Sequence, residues 1–208
     1  MGHIKGAFGG PNPNAWHNWY HTVGSTYGTW IRGDPRGFRT YRHRMHVDGD
    51  YRNPPPPGVY APLFEHVKRS LRYPPVKLDP AQRRHLCRAL VRQLLDDGVQ
   101  VIALAVCVNH FHMLIRCPQL DEATRRRYEQ SLLRDGRDPA PRHYVGLARK
   151  AASESLHAAG LKPASPVWAL RPKMEPIRDR GHQVNTGLYI QGHVEQGAAV
   201  YCIKGFLF

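Results

Sequence analysis

Val106-Cys-Val-Asn-His-Phe-His-Met-Leu-Ile-Arg116 decides the reading of this 208-residue chain. The stretch follows directly from the longest apolar run, Val99 to Val108. Successive side chains of a strand point to opposite faces, so His110 and His112 share one face and Phe111 takes the other. Two imidazoles separated by one large apolar residue make half of a cation site on a rigid element. The same pattern also suits an ordinary polar strand face over a core phenylalanine, so the other half has to be sought elsewhere in the chain. Residues 99–108 and 112–116 read as two strands with a turn near Val108-Asn109.

Upstream of this pair, Asp79-Pro80-Ala81-Gln82 is a helix start: a cap aspartate, a proline in the first turn and a glutamine three residues after the cap. Leu86, Leu90 and Leu94 follow at four-residue spacing, with Arg83, Arg84, Arg88 and Arg92 on the other face and Gly98 at the end. Further back, Trp16 to Ile31 is rich in aromatic and β-branched residues and reads as a first strand, ended by Arg32-Gly-Asp-Pro. Between them, residues 33–77 form a basic, proline-rich insertion with Pro54 to Pro57 in a row, and six arginines run from Arg32 at its edge to Arg52 within it. It is too long for a passive connection and reads as a binding loop, with a short helix around Pro62 to Leu71. Residues 1–14 read as a flexible tail.

Downstream, Arg125-Arg-Arg127 opens a charged segment that fits either helix or loop. A helix is expected over Tyr144 to Ala159, a strand at Val167 to Leu170, a helix from about Gly181 to Gln196 and a closing strand from Ala198 to Ile203. The order βαββαβαβ with a central hairpin predicts an α+β domain over residues 15–208. Its antiparallel sheet would have the helices packed mainly on one side.

Thirty Lys plus Arg against sixteen Asp plus Glu give a formal charge of +14, with thirteen histidines uncounted. A surplus of that size attracts polyanions, nucleic acid foremost. The four cysteines, Cys87, Cys107, Cys117 and Cys202, form no CxxC pair, so a zinc ribbon or a disulfide framework is not indicated. No run reaches the ~18 apolar residues of a membrane helix. The start of the chain also lacks the apolar core of a signal peptide. The expected setting is the cytoplasm, with reduced thiols.

The last helix carries the other half of the site. At ~100° per residue, Tyr189 and His193 lie about 40° apart, with His182 and Gln196 within about 20° of Tyr189. Val184, Leu188, Ile190 and Val194 occupy the opposite side, which reads as an apolar back behind a chemically rich front. Gly187 and Gly192 each cost such a helix up to ~1 kcal/mol relative to alanine and suggest that something large passes close to its backbone.

His110-Phe-His112 on a strand, Tyr189-Ile-Gln-Gly-His193 on a later helix and the basic chain together resemble the HUH-endonuclease fold of single-tyrosine transposases. The nearest likeness is to proteins related to the REP-associated tyrosine transposases. The resemblance covers most of the chain. Thr26-Tyr-Gly-Thr-Trp-Ile-Arg-Gly-Asp34 is similar to the family's opening strand and its exit. Val108-Asn-His-Phe-His-Met-Leu114 is similar to its metal-site strand. Ile177-Arg-Asp-Arg-Gly-His182, Tyr189-Ile190 and Glu195-Gln-Gly-Ala198 are similar to the segment around its nucleophile helix.

The resemblance implies a ferredoxin-like HUH fold and a metal-dependent single-stranded DNA endonuclease and strand transferase, a role in DNA transposition and recombination. His110 and His112 would bind a divalent cation, Mg²⁺ or Mn²⁺. Tyr189 would attack phosphorus, leaving a covalent 5′-phosphotyrosine and a free 3′-hydroxyl that can reverse the step. The family commonly places an amide ligand four residues after the tyrosine. Here that residue is His193, and three imidazoles would favour Mn²⁺, Co²⁺ or Zn²⁺. Gln196 and Gln191 are fallback ligands, with His182 and Gln196 as supporting groups. Single-stranded or hairpin DNA is the expected partner. Trp16, Trp19, Tyr20, Tyr27 and Trp30 are candidates for stacking, and Arg149, Lys150, Arg178 and Arg180 for phosphate contacts. Arg36, Arg39, Arg42 and Arg44 would grip a hairpin stem. A homodimer is compatible with this reading, because family members differ in whether the tyrosine helix acts in its own subunit or a partner's. Two other readings stay open: a domesticated, non-cleaving DNA-binding protein of the same fold, and a metallohydrolase with a water nucleophile.

Overall fold

Residues 100–116 fold as a hairpin because the apolar, partly β-branched run 101–108 ends at Asn109, where the chain turns before a second strand begins. In the computed structural model, β2 (Gln100–Val106) and β3 (His110–Arg116) pair antiparallel and lie at the centre of the sheet. The structure describes residues 16–35, 56, 58–131 and 138–207. The tail 1–14 and Arg36, Arg39, Arg42 and Arg44 of the insertion lie outside the described residues.

The described elements are β1 (Trp19–Ser25), α1 (Ala61–Arg69), α2 (Pro80–Asp96), β2, β3, α3 (Glu122–Ser131), α4 (Ala140–Ala158), β4 (Lys173–Pro176), α5 (Arg180–Gly192), β5 (Ala199–Cys202) and β6 (Gly205–Leu207). A 3₁₀ turn over His193–Gln196 follows α5 directly. The strands form one sheet in the order β4-β1-β3-β2-β5-β6, and every pairing is antiparallel. This is an α+β architecture. No described helix is long and apolar enough to cross a membrane.

Two helices cover one face and α5 covers the other, which explains why β2 and β3 read as near-continuous apolar runs instead of alternating. On the first face Leu104, Val106, Phe111, Met113 and Ile115 pack with Leu86, Leu90 and Leu94 of α2 and with Val145, Ala148, Ala152 and Leu156 of α4. On the second, Ala103, Ala105, Cys107, Leu114 and Val200 lie with Ile190 of α5. The register of β2 slips between Val101 and Ala103, a bulge that puts Val101 on the first face and Ala103 on the second. Everything after the slip keeps that phase, Cys107 included.

The start of α2 is the capping box expected from its sequence: Asp79 Oδ1 accepts from Gln82 N and Gln82 Oε1 accepts from Asp79 N, each at 2.9 Å. Asp79→Ala should cost about 1 kcal/mol of stability, read as a lower urea midpoint at an unchanged slope; no shift in midpoint would show that water serves those amides equally well.

Several expectations change in detail. The first strand stops at Ser25, because Thr26 and Thr29 turn their hydroxyls onto backbone carbonyls instead of extending the ladder. Helix α4 starts at Ala140, four residues ahead of Tyr144, since Pro139 and Pro141 suit a first helical turn. The charged segment after Leu120 is helical, with Asp121 accepting from Thr124 N at 2.8 Å at its start. Val167–Leu170 supplies only a single bridge, Trp168 to Thr26, and the strand lies further on at Lys173–Pro176. Trp168 turns inward there, edge-on to Phe111 at 5.3 Å and donating to Arg149 O at 3.1 Å.

The largest correction concerns α5. Its buried residues are Gln183, Thr186, Gly187 and Ile190, whereas Val184, Leu188 and Val194 are 41, 61 and 38% exposed. Of the expected apolar back, only Ile190 faces the sheet. The reason lies beneath the helix: that sheet face offers Ala103 and Ala105 beside the histidines, so it admits small and polar residues, and the helix rolls His193 inward. A Cβ on Gly187 would meet Leu114 at an ordinary 3.6 Å, and one on Gly192 would meet nothing within 4 Å, so no described part of the chain passes close to either glycine.

Candidate active site

The tip of the β2–β3 hairpin is a two-residue turn closed by Cys107 N donating to His110 O at 2.8 Å. Cys107 and His110 are therefore cross-strand partners, and β-alternation from His110 brings His112 onto the same face. A knot of hydroxyls holds the tip in place. Thr26 Oγ1 donates to Val76 O at 2.6 Å, Thr29 Oγ1 reaches Asn109 O at 3.1 Å, and Thr26 N donates to Asn109 O at 2.9 Å.

Helix α5 and its 3₁₀ continuation deliver the remaining groups. His193 is 5% exposed, with its ring stacked on His112 at 4.7 Å between centroids and 13° between planes. His110 lies 4.9 Å from His112 and 5.8 Å from His193 on the same measure. Each imidazole has its Nδ1 engaged: His110 with Asn109 Oδ1 at 2.8 Å, His112 with Nε2 of His21 at 3.1 Å, and His193 with Gln196 Oε1 at 3.4 Å. An amide oxygen can only accept, so in these contacts His110 and His193 donate from Nδ1, which in a neutral ring leaves the lone pair at Nε2. Nε2 of His112 and of His193 is buried without a hydrogen-bond partner. A buried polar atom left unpaired costs about 1–3 kcal/mol, and two side by side form the kind of donor set a cation would satisfy.

Burial drives the electrostatics of this cluster. Loss of solvent, followed by the neighbouring His110, His193 and His21, holds His112 down to about 3. His110 and His21 are lowered as well, burial being the main cause in each. Neutral imidazole is the ligating form. The Cys107 thiol is pushed up to about 11 by burial, the larger cause, with Arg83 pulling the other way. Cys107, His110 and His193 bring their potential ligand atoms within 4.8 Å of one another and could hold a metal ion. The expected trio was His110, His112 and His193. The structure gathers all three rings, but the group with mutually convergent ligand atoms contains Cys107 in place of His112.

Tyr189 stands beside this cluster, one helical turn before His193. Its ring centroid lies 4.8 Å from that of His193, 5.2 Å from His112 and 6.3 Å from His21, and the residue is 53% exposed. It forms part of the wall of an open cleft of about 830 Å³, lined also by Trp30, His110, His112, Arg171 and Lys173. Tyr201, by contrast, is on β5, edge-on to Phe206 at 5.1 Å and packed against the α2–α4 side of the sheet.

The remaining candidates are distributed as follows. His182 is two turns before Tyr189, roughly 10 Å along the axis, and its Nδ1 accepts from Arg178 N at 3.3 Å. Gln196 is exposed and meets the cluster through His193 Nδ1. Arg178 and Arg180 are exposed around the start of α5, with Arg180 donating to Gln183 Oε1 at 2.9 Å. Lys150 is exposed and 3.9 Å from Glu154. Arg149 is committed inward: it donates to Ala169 O and lies 5.8 Å over the Trp168 ring, and desolvation lowers it to about 10. It braces the segment that borders the cleft. Sequence reading did not single out His21, Cys107, Arg171 or Lys173 for the site. Cys107 could have been found by pairing it with His110 across a two-residue turn. His21 depends on the β1–β3 register, in which Val23 opposes His112, and that register has no local signal.

An antiparallel α+β sheet bearing a histidine–cysteine cluster beside an exposed tyrosine is the class that fold and site define. No family model and no curated protein matches the chain. Among solved structures it is similar to the REP-associated tyrosine transposase bound to a REP hairpin, with a TM-score of 0.40 and 14% identity over 86% of this chain and 68% of that one. A likeness that distant leaves the site to be judged on its own geometry.

Proposed function

We propose that the protein is a metal-dependent tyrosine endonuclease and strand transferase of the transposase type, acting on single-stranded or hairpin DNA. One observation carries the reading: exposed Tyr189 stands one helical turn from buried His193 and beside His112, in the wall of an open cleft. In this reading a divalent cation would be held at the cluster of His110, His193 and neighbouring His112, and the unpaired Nε2 atoms of His112 and His193 support the fit. When bound, the cation supplies positive charge and Lewis acidity for a phosphodiester oxygen.

Tyr189 Oη attacks the phosphorus in line. An O–P bond forms to the phenol as its proton passes to solvent, and the O–P bond to the 3′ oxygen breaks, with that oxygen taking a proton from solvent in the open cleft. The product is a 5′-phosphotyrosine and a free 3′-hydroxyl, and the bond energy retained in the adduct lets a 3′-hydroxyl reverse the step. Around the cleft, Trp30 would stack a base and Arg171 and Lys173 would take phosphates. Arg178, Arg180 and Lys150, with Arg36, Arg39, Arg42 and Arg44, are proposed as outer phosphate contacts, and Arg149 as a support for the cleft wall.

The test is to incubate the full chain with end-labelled single strands and hairpins plus Mn²⁺, then to denature and look for label that migrates with protein. A covalent species on single strands or hairpins and not on plain duplex is the expected result. Nicked products without an adduct would instead identify a water nucleophile. Binding without any product under every metal tried would favour a non-cleaving DNA-binding protein.

A further inference from the structure

Cys107 differs from the other buried cysteines. Cys87 lies in the α2 core, where a thiol is a small hydrophobe. Cys107 is the only cysteine among the described residues that belongs to a group of three ligating side chains. Its position is built in three ways. The bulge in β2 sets its side to the α5 face, its backbone is hydrogen-bonded to His110, and the hydroxyls of Thr26 and Thr29 fix the turn between them. The facing group is His193, 95% buried by its 5% exposure and with Nε2 unpartnered.

We propose that Cys107 ligates the metal through sulfur, so that Cys107, His110 and His193 form a thiolate–imidazole site for a Zn²⁺-class ion, Zn²⁺ or Co²⁺, and not for Mg²⁺. The proposal rests on the metal-binding part of the function proposed above and names the ion class for it. Thiolate and imidazole together suit zinc and cobalt, whereas magnesium demands oxygen ligands in near-ideal octahedral geometry. As the sulfur–metal bond forms, the S–H bond breaks and its proton passes to solvent, so binding releases a proton. His112 lies stacked on His193 with its Nδ1 held by His21, and serves this site as a neighbouring imidazole or a further ligand.

Cobalt is the probe that tests this, because it reports its ligands optically. The full reduced chain is titrated with Co²⁺ and followed through the visible ligand-field bands and the near-ultraviolet sulfur-to-cobalt charge-transfer band. Both should appear together and saturate together in the wild type. Cys107→Ser should lose the charge-transfer band, keep ligand-field bands and bind Co²⁺ at least about 10-fold more weakly, the scale on which even outer-shell losses are felt. Cys87→Ala should keep both. Excess Mg²⁺ should leave the spectrum unchanged. Ligand-field bands without a charge-transfer band in the wild type would overturn the cysteine ligand and leave a histidine site standing. Absence of all cobalt bands would overturn the metal reading itself. Displacement by Mg²⁺ at concentrations comparable to Co²⁺ would overturn the selectivity. The wild-type spectrum reports sulfur directly, so a sulfur ligand is detected or ruled out even if Cys107→Ser fails to fold.

Discussion

Tyr189→Phe protein should fold, bind single-stranded DNA as the wild type does and form no covalent product. The substitution removes one oxygen from a side chain that is more than half exposed, and surface changes of that kind usually move stability by less than ~0.5 kcal/mol. Its effect on chemistry is of another order. Loss of a catalytic nucleophile costs on the order of 10⁶ in kcat, which on a gel is disappearance of the adduct. Tyr201→Phe is the matched control. That ring packs on Phe206 on the other side of the sheet, and its variant should retain the adduct in full. A protein–DNA adduct that survives in Tyr189→Phe would remove this residue as nucleophile, whatever the metal site proves to be.

The largest effect on stability is expected at Gly24. It opposes Phe111 directly in the β1–β3 pairing, and the phenylalanine ring lies over it. A Cβ built at Gly24 would stand 2.4 Å from both Cε1 and Cζ of Phe111 and 3.3 Å from Cβ of Pro172. Phe111 has no room to retreat, being fully buried and set edge-on against Trp168. Overpacking a filled core costs about 1–3 kcal/mol for small additions, so Gly24→Ala should lower the urea midpoint by that amount. Gly24→Val adds two more methyl groups to the same clash and should leave little folded protein, given a typical total stability of ~5–15 kcal/mol. Phe111→Leu in the Gly24→Ala background should recover part of the loss, because residues in contact are not additive. Full stability of Gly24→Ala would show that the ring does not occupy this position.

What could be read from the chain divides along the range of the interactions involved. The Asp79–Gln82 cap, the leucines of α2 and the His110-Phe-His112 alternation are set by neighbours within a few residues, and each was legible. The face of α5 was not. Val184, Leu188 and Val194 form the more apolar stripe, and periodicity alone turns that stripe inward. The helix instead answers to what the sheet offers beneath it, Ala103, Ala105 and the imidazoles, and that surface is assembled from distant strands. The bulge between Val101 and Ala103 escaped for a related reason: a slip of one residue leaves no mark on an unbroken apolar run. Without it the facing of Cys107 cannot be deduced from the start of β2. Tyr189 and His193 were legible as a pair because a four-residue helical offset is local. Their partnership with His21 required the register of β1.

The unequal anchoring of the two halves of the site has an energetic consequence. His110 and His112 belong to the innermost strand pair, whose side chains fill both cores, so releasing them requires the cooperative unfolding of the whole sheet. Tyr189 and His193 hang from a helix whose one large buried apolar residue is Ile190. Local opening free energies within one protein run from near zero to the global value according to how much apolar surface each unit buries. On that scale the strand half lies at the top and the helix half well below it. The two halves thus differ in how much buried apolar surface holds them, and lifting α5 should part the tyrosine from the histidine strand at less free energy than dismantles the domain.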